Sequence, residues 1–160
     1  MTRLMAVAAI VMVPMTGFAH ELAVDDDESV AFIAPAKGVQ IYECRNSEWA
    51  FVAPAADLFD RNGKKIGRHF AGPQWEAEDG SRVTGTGVKA RADAPVAGAI
   101  PWLLLSAQSA GAKGVFSDVS SVRRVHTAGG AAPRAHCSAA EAGQLVRVPY
   151  TADYYFFTRE

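Results

Sequence analysis

The stretch DLFDRNGKKIGRHFAGPQWEAEDGSRVTGTGV, residues 57–88, contains two hairpin signals in succession. Asn62-Gly63 and Asp79-Gly80 tolerate the positive φ of a tight type I′ turn, and short runs of strand-forming residues flank each pair. The strand pairs that we expect around these turns are Asp57–Asp60 with Lys64–Phe70, and Gln74–Ala77 with Arg82–Val88. The stretch therefore predicts antiparallel strands.

The rest of the chain repeats this pattern, because short apolar runs separated by Gly, Asn and Pro recur about every ten residues. The further predicted strands are Val39–Cys44, Trp49–Val52, Ile100–Leu105, Val115–Thr127 with a bulge, Leu145–Val148 and Tyr150–Phe157. Both faces of Ile100–Leu105 and of Tyr150–Phe157 are apolar, which predicts cover on both sides. We expect an all-β fold, either an antiparallel β-sandwich or a closed β-barrel of about 8–10 short strands, and strand spacing alone does not choose between them.

The first nineteen residues have the three parts of a secretory signal peptide. Arg3 provides the positive start, Leu4–Met15 the apolar run, and Gly17-Phe18-Ala19 the small residues of a cleavage site. The apolar run is shorter than the roughly 20 residues of a membrane-spanning helix. We therefore expect cleavage before His20, a periplasmic or secreted protein, and no membrane-spanning segment in the mature chain.

The mature chain has the size of one domain. Removing 19 of the 160 residues leaves 141, which we divide into a flexible acidic arm, residues 20–36, and a single β domain, residues 37–158. Arg3 is the one charged residue removed, so 15 of 16 basic residues remain against 17 acidic ones. A net charge near −2 gives no electrostatic basis for binding nucleic acid.

The two cysteines, Cys44 and Cys137, predict a disulfide if the protein is exported. The bond would close a loop of about 90 residues and stabilise the fold by about 4 kcal/mol in the chain-entropy model. A zinc site is a poor alternative, because the chain has no C-x-x-C motif and two isolated thiols do not make a metal centre.

Several longer motifs occur in a characteristic order. They are Gly38–Cys44, Trp49 with Phe51, Gly67–Glu76, Asp79–Ser81 with Val83 and Gly85, Ile100–Leu104, Thr127–Pro133 with Cys137, and Val148–Phe156. In these motifs the chain resembles the secreted bacterial and fungal proteins grouped as domain of unknown function 3455 (DUF3455). The resemblance covers about residues 36–157. It implies an exported β-rich domain and no particular activity.

His69, Trp75, Glu76 and Asp79 are the candidate ligand-binding residues. On an alternating strand His69 points away from Ile66 and Phe70, and therefore away from the side that we expect to be buried. A cross-strand pair of His69 with Glu76 or Asp79 would orient an imidazole for acid–base chemistry or for a metal. Trp75 lies in a polar, turn-like context, so if it is exposed beside His69 it would form part of a small-ligand or glycan cleft.

Copper is the metal alternative. Cleavage after Ala19 would expose His20, whose amine and ring could join His69 in a nitrogen-rich copper site. The remaining histidines are His126, just before a loop that begins with Ala128-Gly129-Gly130 and continues to Gly143, and His136, within that loop. No residue is assigned as catalytic, because no hydrolase or nucleotide motif is present.

These observations predict an exported β-domain protein of the cell envelope or medium that binds a small ligand, a glycan or an envelope protein without catalysis and without a cofactor. The alternative is an extracytoplasmic copper protein or enzyme that uses His69 with Glu76 or Asp79.

Overall fold

A computed structural model of the protein describes residues 22–160. This part of the chain is an antiparallel β-barrel with one short 3₁₀ helix, Ala139–Glu141. The strands are β1 Glu28–Arg45, β2 Glu48–Phe59, β3 Lys65–Phe70, β4 Gln74–Ala77, β5 Ser81–Ala92, β6 Trp102–Gly111, β7 Val119–Gly129 and β8 Leu145–Arg159. Each strand pairs with the next, and β8 returns to pair with β1. The all-β prediction is confirmed, and the closed barrel is the architecture that forms.

Both predicted hairpins are present, but neither uses a type I′ turn. In the β2–β3 connection Gly63 has a φ of +78° and donates its N–H to the Asp60 carbonyl, while Asn62 is not in the positive-φ region. The Asp60 carboxylate accepts hydrogen bonds from the N–H groups of Asn62 and Lys64, and this side-chain cap favours a three-residue loop that ends in a left-handed glycine. Gly80 has the same role after Asp79, with a φ of +82°.

The residues expected to form a flexible arm are largely ordered. β1 starts at Glu28, so residues 28–36 belong to the barrel and pair with β8. Before it, Arg159 at the end of β8 holds Asp25 at 2.9 Å and Asp27 at 2.5 Å. Glu28 accepts a hydrogen bond from the Ser121 hydroxyl at 2.7 Å. The basic partners of the acidic run are distant in sequence, because Lys89 also binds Asp25 at 2.9 Å and Arg159 lies near the end of the chain. Residues 1–21, including the predicted signal peptide and His20, lie outside the described residues.

Aromatic rings fill one end of the barrel. Phe32 of β1 stacks on Phe156 of β8 with ring centroids 4.5 Å apart, and Phe116, fully buried, packs 4.9 Å from Phe156. Phe116 comes from the connection between β6 and β7. This end is therefore a conventional packed core.

The two apolar strands are covered from both sides, as predicted. In β6, Leu105 packs in the interior cluster, whereas Leu104 packs on the outer side against Leu22 and Val125. Pro101 lies just before β6, where its missing N–H does not interrupt the ladder. The predicted bulge is present in β7, whose pairing with β8 shifts between Val125 and Ala128.

The predicted disulfide is present between Cys44 and Cys137, with a Cα–Cα distance of 6.0 Å. It ties the connection between β7 and β8 to the end of β1. Within residues 22–160, no helix is long and apolar enough to cross a membrane.

Candidate ligand-binding site

The four predicted site residues lie on two different faces of the barrel. His69 and Trp75 pair across β3 and β4 and point inward, with exposed fractions of 3% and 0%. Their rings stack with centroids 4.4 Å apart. Glu76 points outward, where it binds Arg68 at 2.8 Å and Arg82 at 2.7 Å. The expected pairing of His69 with Glu76 is therefore wrong.

Asp79 is also separate from the histidine. It lies in the turn between β4 and β5, where its carboxylate accepts hydrogen bonds from the Ser81 hydroxyl at 2.5 Å, the Ser81 N–H at 2.9 Å and the Val115 N–H at 2.8 Å. These hydrogen bonds hold the pKa of Asp79 below its usual value, the Ser81 hydroxyl having the largest effect. Asp79 therefore stabilises the turn and its contact with the β6–β7 connection.

The expected direction of His69 was wrong, and the charged neighbours explain why. Arg68, Glu76 and Arg82 are in register across β3, β4 and β5, and together they form an ion-paired row on the outside. Because side chains alternate along a strand, the adjacent row of His69, Trp75 and Val83 must point inward. This charged row was the sequence signal that could have placed His69 and Trp75 in the interior.

The inward-facing pair lies beside a cavity of about 340 Å³ at the barrel end that carries the turn between β3 and β4. The residues around it are Gln40, Phe51, Val52, Pro54, His69, Ala71, Gly72, Pro73, Trp75, Val88, Leu103, Leu105, Arg124 and Tyr154. All eight strands and the turn between β3 and β4 contribute to this set, so residues far apart in sequence meet there. The volume is near the lower end of the range for small-molecule sites, about 300–1,000 Å³.

The rim of this cavity is apolar and exposed. Phe51, Val52 and Val88 line the opening and are 55%, 42% and 62% exposed. Single exposed apolar residues are ordinary on a protein surface, but three around one concave opening form a continuous apolar entrance.

Two polar groups on the cavity wall are buried without a hydrogen-bond partner among residues 22–160. They are the side-chain amide nitrogen of Gln40 and the indole nitrogen of Trp75. Leaving a buried donor unsatisfied costs about 1–3 kcal/mol, so such groups are uncommon in a packed core. Both are hydrogen-bond donors for which residues 22–160 supply no acceptor.

Arg124 provides the positive charge of the cavity wall. Its guanidinium Nε and Nη2 donate to the Pro101 carbonyl at 3.1 and 2.8 Å. No carboxylate of the described part of the chain forms an ion pair with it. The side chain is half-buried, so solvent screens its charge only partly.

His69 is neutral in this environment. Burial lowers its pKa to about 3, the hydrogen bond to Gln74 opposes that change, and the charge of Arg124 lowers the pKa further. Nδ1 lies 2.8 Å from the Gln74 carbonyl oxygen, which can only accept, so Nδ1 carries the proton and Nε2 is left as an acceptor.

The neighbouring tyrosines are neutral as well. The hydroxyl groups of Tyr150 and Tyr154 are 3.3 Å apart, and burial raises the pKa of both. The interior wall therefore combines neutral polar groups with one cation.

His126 and His136 do not join His69. His126 forms a 2.9 Å contact with Asp153, and His136 lies 3.8 Å from Glu48. Within residues 22–160, no three His, Cys, Asp or Glu side chains are grouped to hold a metal ion. The copper hypothesis depends on His20, which lies outside this range.

Comparison with known proteins identifies a family and no closer relative. No curated protein and no solved structure matches the chain. A family model described as a protein of unknown function, DUF3455, matches residues 25–158. This match covers the whole barrel apart from its last residues, including every residue of the cavity wall. The chain therefore belongs to the DUF3455 family.

Proposed function

We propose that this chain is an exported binding protein of the cell envelope or medium, which takes a small ligand into the open end of its barrel. The observation that carries the proposal is the 340 Å³ cavity lined by Gln40 and Trp75, whose buried side-chain nitrogens have no hydrogen-bond partner within residues 22–160. An eight-stranded barrel has an interior just wide enough to be filled by side chains or to hold one small ligand. Here aromatic rings fill one end, and the other end offers the cavity.

The geometry favours binding over the enzyme alternative. Acid–base catalysis at neutral pH needs a group whose pKa lies near the working pH. Burial puts the pKa of His69 far below that range, and Glu76 is on the other face of the hairpin. Ligand binding requires shape, an apolar surface and a few directed polar groups, and the cavity has all three.

Export is supported by the signal-peptide pattern of residues 1–19 and by the Cys44–Cys137 bond, because disulfides persist mainly outside the reducing cytosol. The protein recovered from the extracytoplasmic fraction should begin at His20, and its intact mass measures this directly.

A fluorescence titration with the neutral apolar probe N-phenyl-1-naphthylamine tests the binding proposal. We expect saturable binding at one site. Val88→Asp should weaken binding about tenfold or more, because it places a charge in the apolar entrance. Val96→Asp is the matched control, since Val96 is the same residue type, is 50% exposed and lies outside the cavity wall.

Two results would overturn the proposal. One is the absence of saturable binding by folded wild-type protein. The other is an equal effect of Val88→Asp and Val96→Asp, which would place the probe on some other surface.

A further inference from the structure

Arg124 differs from the other interior-facing groups in carrying a full charge. Among the residues that line the cavity there is no Asp, Glu or Lys, and His69 is neutral. The guanidinium is therefore the one charged group of that wall. Its charge adds to the burial that lowers the pKa of His69 and opposes the burial that raises the pKa of Tyr154, and both residues lie beside the cavity.

The adjacent Arg123 has a different environment, and its buried Nε has no hydrogen-bond partner within residues 22–160. Arg123 points to the outer face, where its guanidinium lies 5.1 Å from the ring centre of Tyr155 and 5.0 Å from that of Phe157. Cation–π contacts of this kind stabilise a partly desolvated cation. Arg124 donates two N–H groups to the Pro101 carbonyl and interacts with the Tyr154 side chain, but no carboxylate within residues 22–160 forms an ion pair with it.

Gln40, Trp75 and Arg124 carry hydrogen-bond donors on this wall. Gln40 and Trp75 each present a buried N–H without a partner, and Arg124 adds further N–H groups with a positive charge. A carboxylate matches such a set, because it is negative and its two oxygens accept up to four hydrogen bonds. The apolar entrance formed by Phe51, Val52 and Val88 matches a hydrocarbon chain.

We propose that the ligand is an amphipathic organic anion, a carboxylate on a short apolar chain, with its head on the donors of Gln40, Trp75 and Arg124 and its tail along Phe51, Val52 and Val88. This inference rests on the proposed function, because it names the ligand class of the same cavity. The cavity volume favours a chain of medium length over a long one.

The test compares octanoate, octanol and acetate by calorimetry and by displacement of N-phenyl-1-naphthylamine. Octanoate should bind at least about tenfold more tightly than octanol, because hydrogen bonds to charged groups are stronger than neutral ones. Acetate, which has the head without the tail, should bind more weakly than octanoate. The preference for octanoate should shrink as salt is added, since ions screen the contact with Arg124.

Arg124→Gln removes the charge and should lower the affinity for octanoate more than the affinity for octanol, so that the preference for octanoate is lost. Arg123→Gln is the matched control, because it changes the same residue type one position away on the outer face. Arg124→Lys keeps the charge and should retain the preference, which provides a second variant if the glutamine variant is unstable.

The outcomes separate this inference from the proposed function. Equal affinity for octanoate and octanol, or an unchanged preference in Arg124→Gln, would overturn the anion inference while probe binding still supported the cavity. Failure of the neutral probe and of both eight-carbon compounds to bind would overturn the proposed function as well.

Discussion

At the residue scale, His69 is the clearest case of a titratable group adapted to an interior. Its ring stacks on Trp75 at 4.4 Å and packs edge-on against Tyr154 at 5.0 Å. Its Nδ1 proton is held by the Gln74 carbonyl. Protonating the second nitrogen would place a charge among aromatic rings and near Arg124, so the folded state keeps the ring neutral.

This environment makes the protein sensitive to acid. Folded His69 takes up a proton only near pH 3, whereas unfolded His69 does so near pH 6.5. Between these values the unfolded state binds more protons, so stability falls as the pH falls. One titrating group can change the free energy of unfolding by at most about 1.36 kcal/mol per pH unit. Between pH 6 and pH 4 we therefore expect the free energy of unfolding of wild type to fall by about 2 kcal/mol more than that of His69→Gln, as measured by urea denaturation.

Carboxylates whose pKa is lowered by folding also make stability fall at low pH, but wild type and His69→Gln share them. The difference between the two profiles of stability against pH therefore reports His69 alone. Parallel profiles would show that this interpretation of His69 is wrong. Nitrogen chemical shifts of the wild-type imidazole provide a second measurement, and they should report a proton on Nδ1 alone down to pH 4.

At the scale of the strands, β1 is the element that closes the barrel, because it pairs with β2 on one side and β8 on the other. Gly38 of β1 is paired with Ala56 of β2. A Cβ at this position would overlap the carbonyl oxygen of Ala55 and the Cα of Ala56, which are backbone atoms and cannot rotate away.

Gly38→Ala should therefore destabilise the fold by about 1–3 kcal/mol, the usual cost of overpacking. Gly87→Ala is the control in β5, where a Cβ would have no heavy atom within 4 Å. Chemical denaturation of both variants measures the difference. Equal stabilities would show that β1 and β2 separate easily at this point.

Local signals explain what the sequence could predict at this scale. Asn62-Gly63 and Asp79-Gly80 indicated the hairpins because a turn depends on a few neighbouring residues. The type of turn was missed, because the Asp60 side chain caps the first one. The strand over residues 28–36 was not predicted, because it depends on partners that are distant in sequence. These partners are β8 and, for the acidic residues just before the strand, Arg159.

At the scale of the whole molecule, the Cys44–Cys137 bond spans 93 residues and encloses most of the barrel. Replacing both cysteines with alanine should lower the free energy of unfolding by about 4 kcal/mol, because the unfolded chain regains the freedom of a long open loop. Urea denaturation with and without a reductant measures this effect.

The reductant should destabilise wild type and leave the double alanine variant unchanged. A wild-type protein that is insensitive to complete reduction would contradict the prediction. The circular dichroism of the native variant should still show β-structure, because the pairing of β1 with β8 does not require the bond.

Neither the closure of the barrel nor the cavity could be predicted from the sequence. A sandwich and a barrel share the same hairpins, and only the pairing of β1 with β8 distinguishes them. Gln40, Trp75 and Arg124 meet because of barrel curvature, and no spacing in the chain brings them together. Trp75 and His69 were recognised as candidates, although their placement in the interior was not.

The aromatic packing of Phe32, Phe116 and Phe156 fills one end of the barrel, so the cavity opens at the other end. A bound molecule would leave by the route through which it entered, past Phe51, Val52 and Val88. Its residence time would then depend on how far these rim side chains must move.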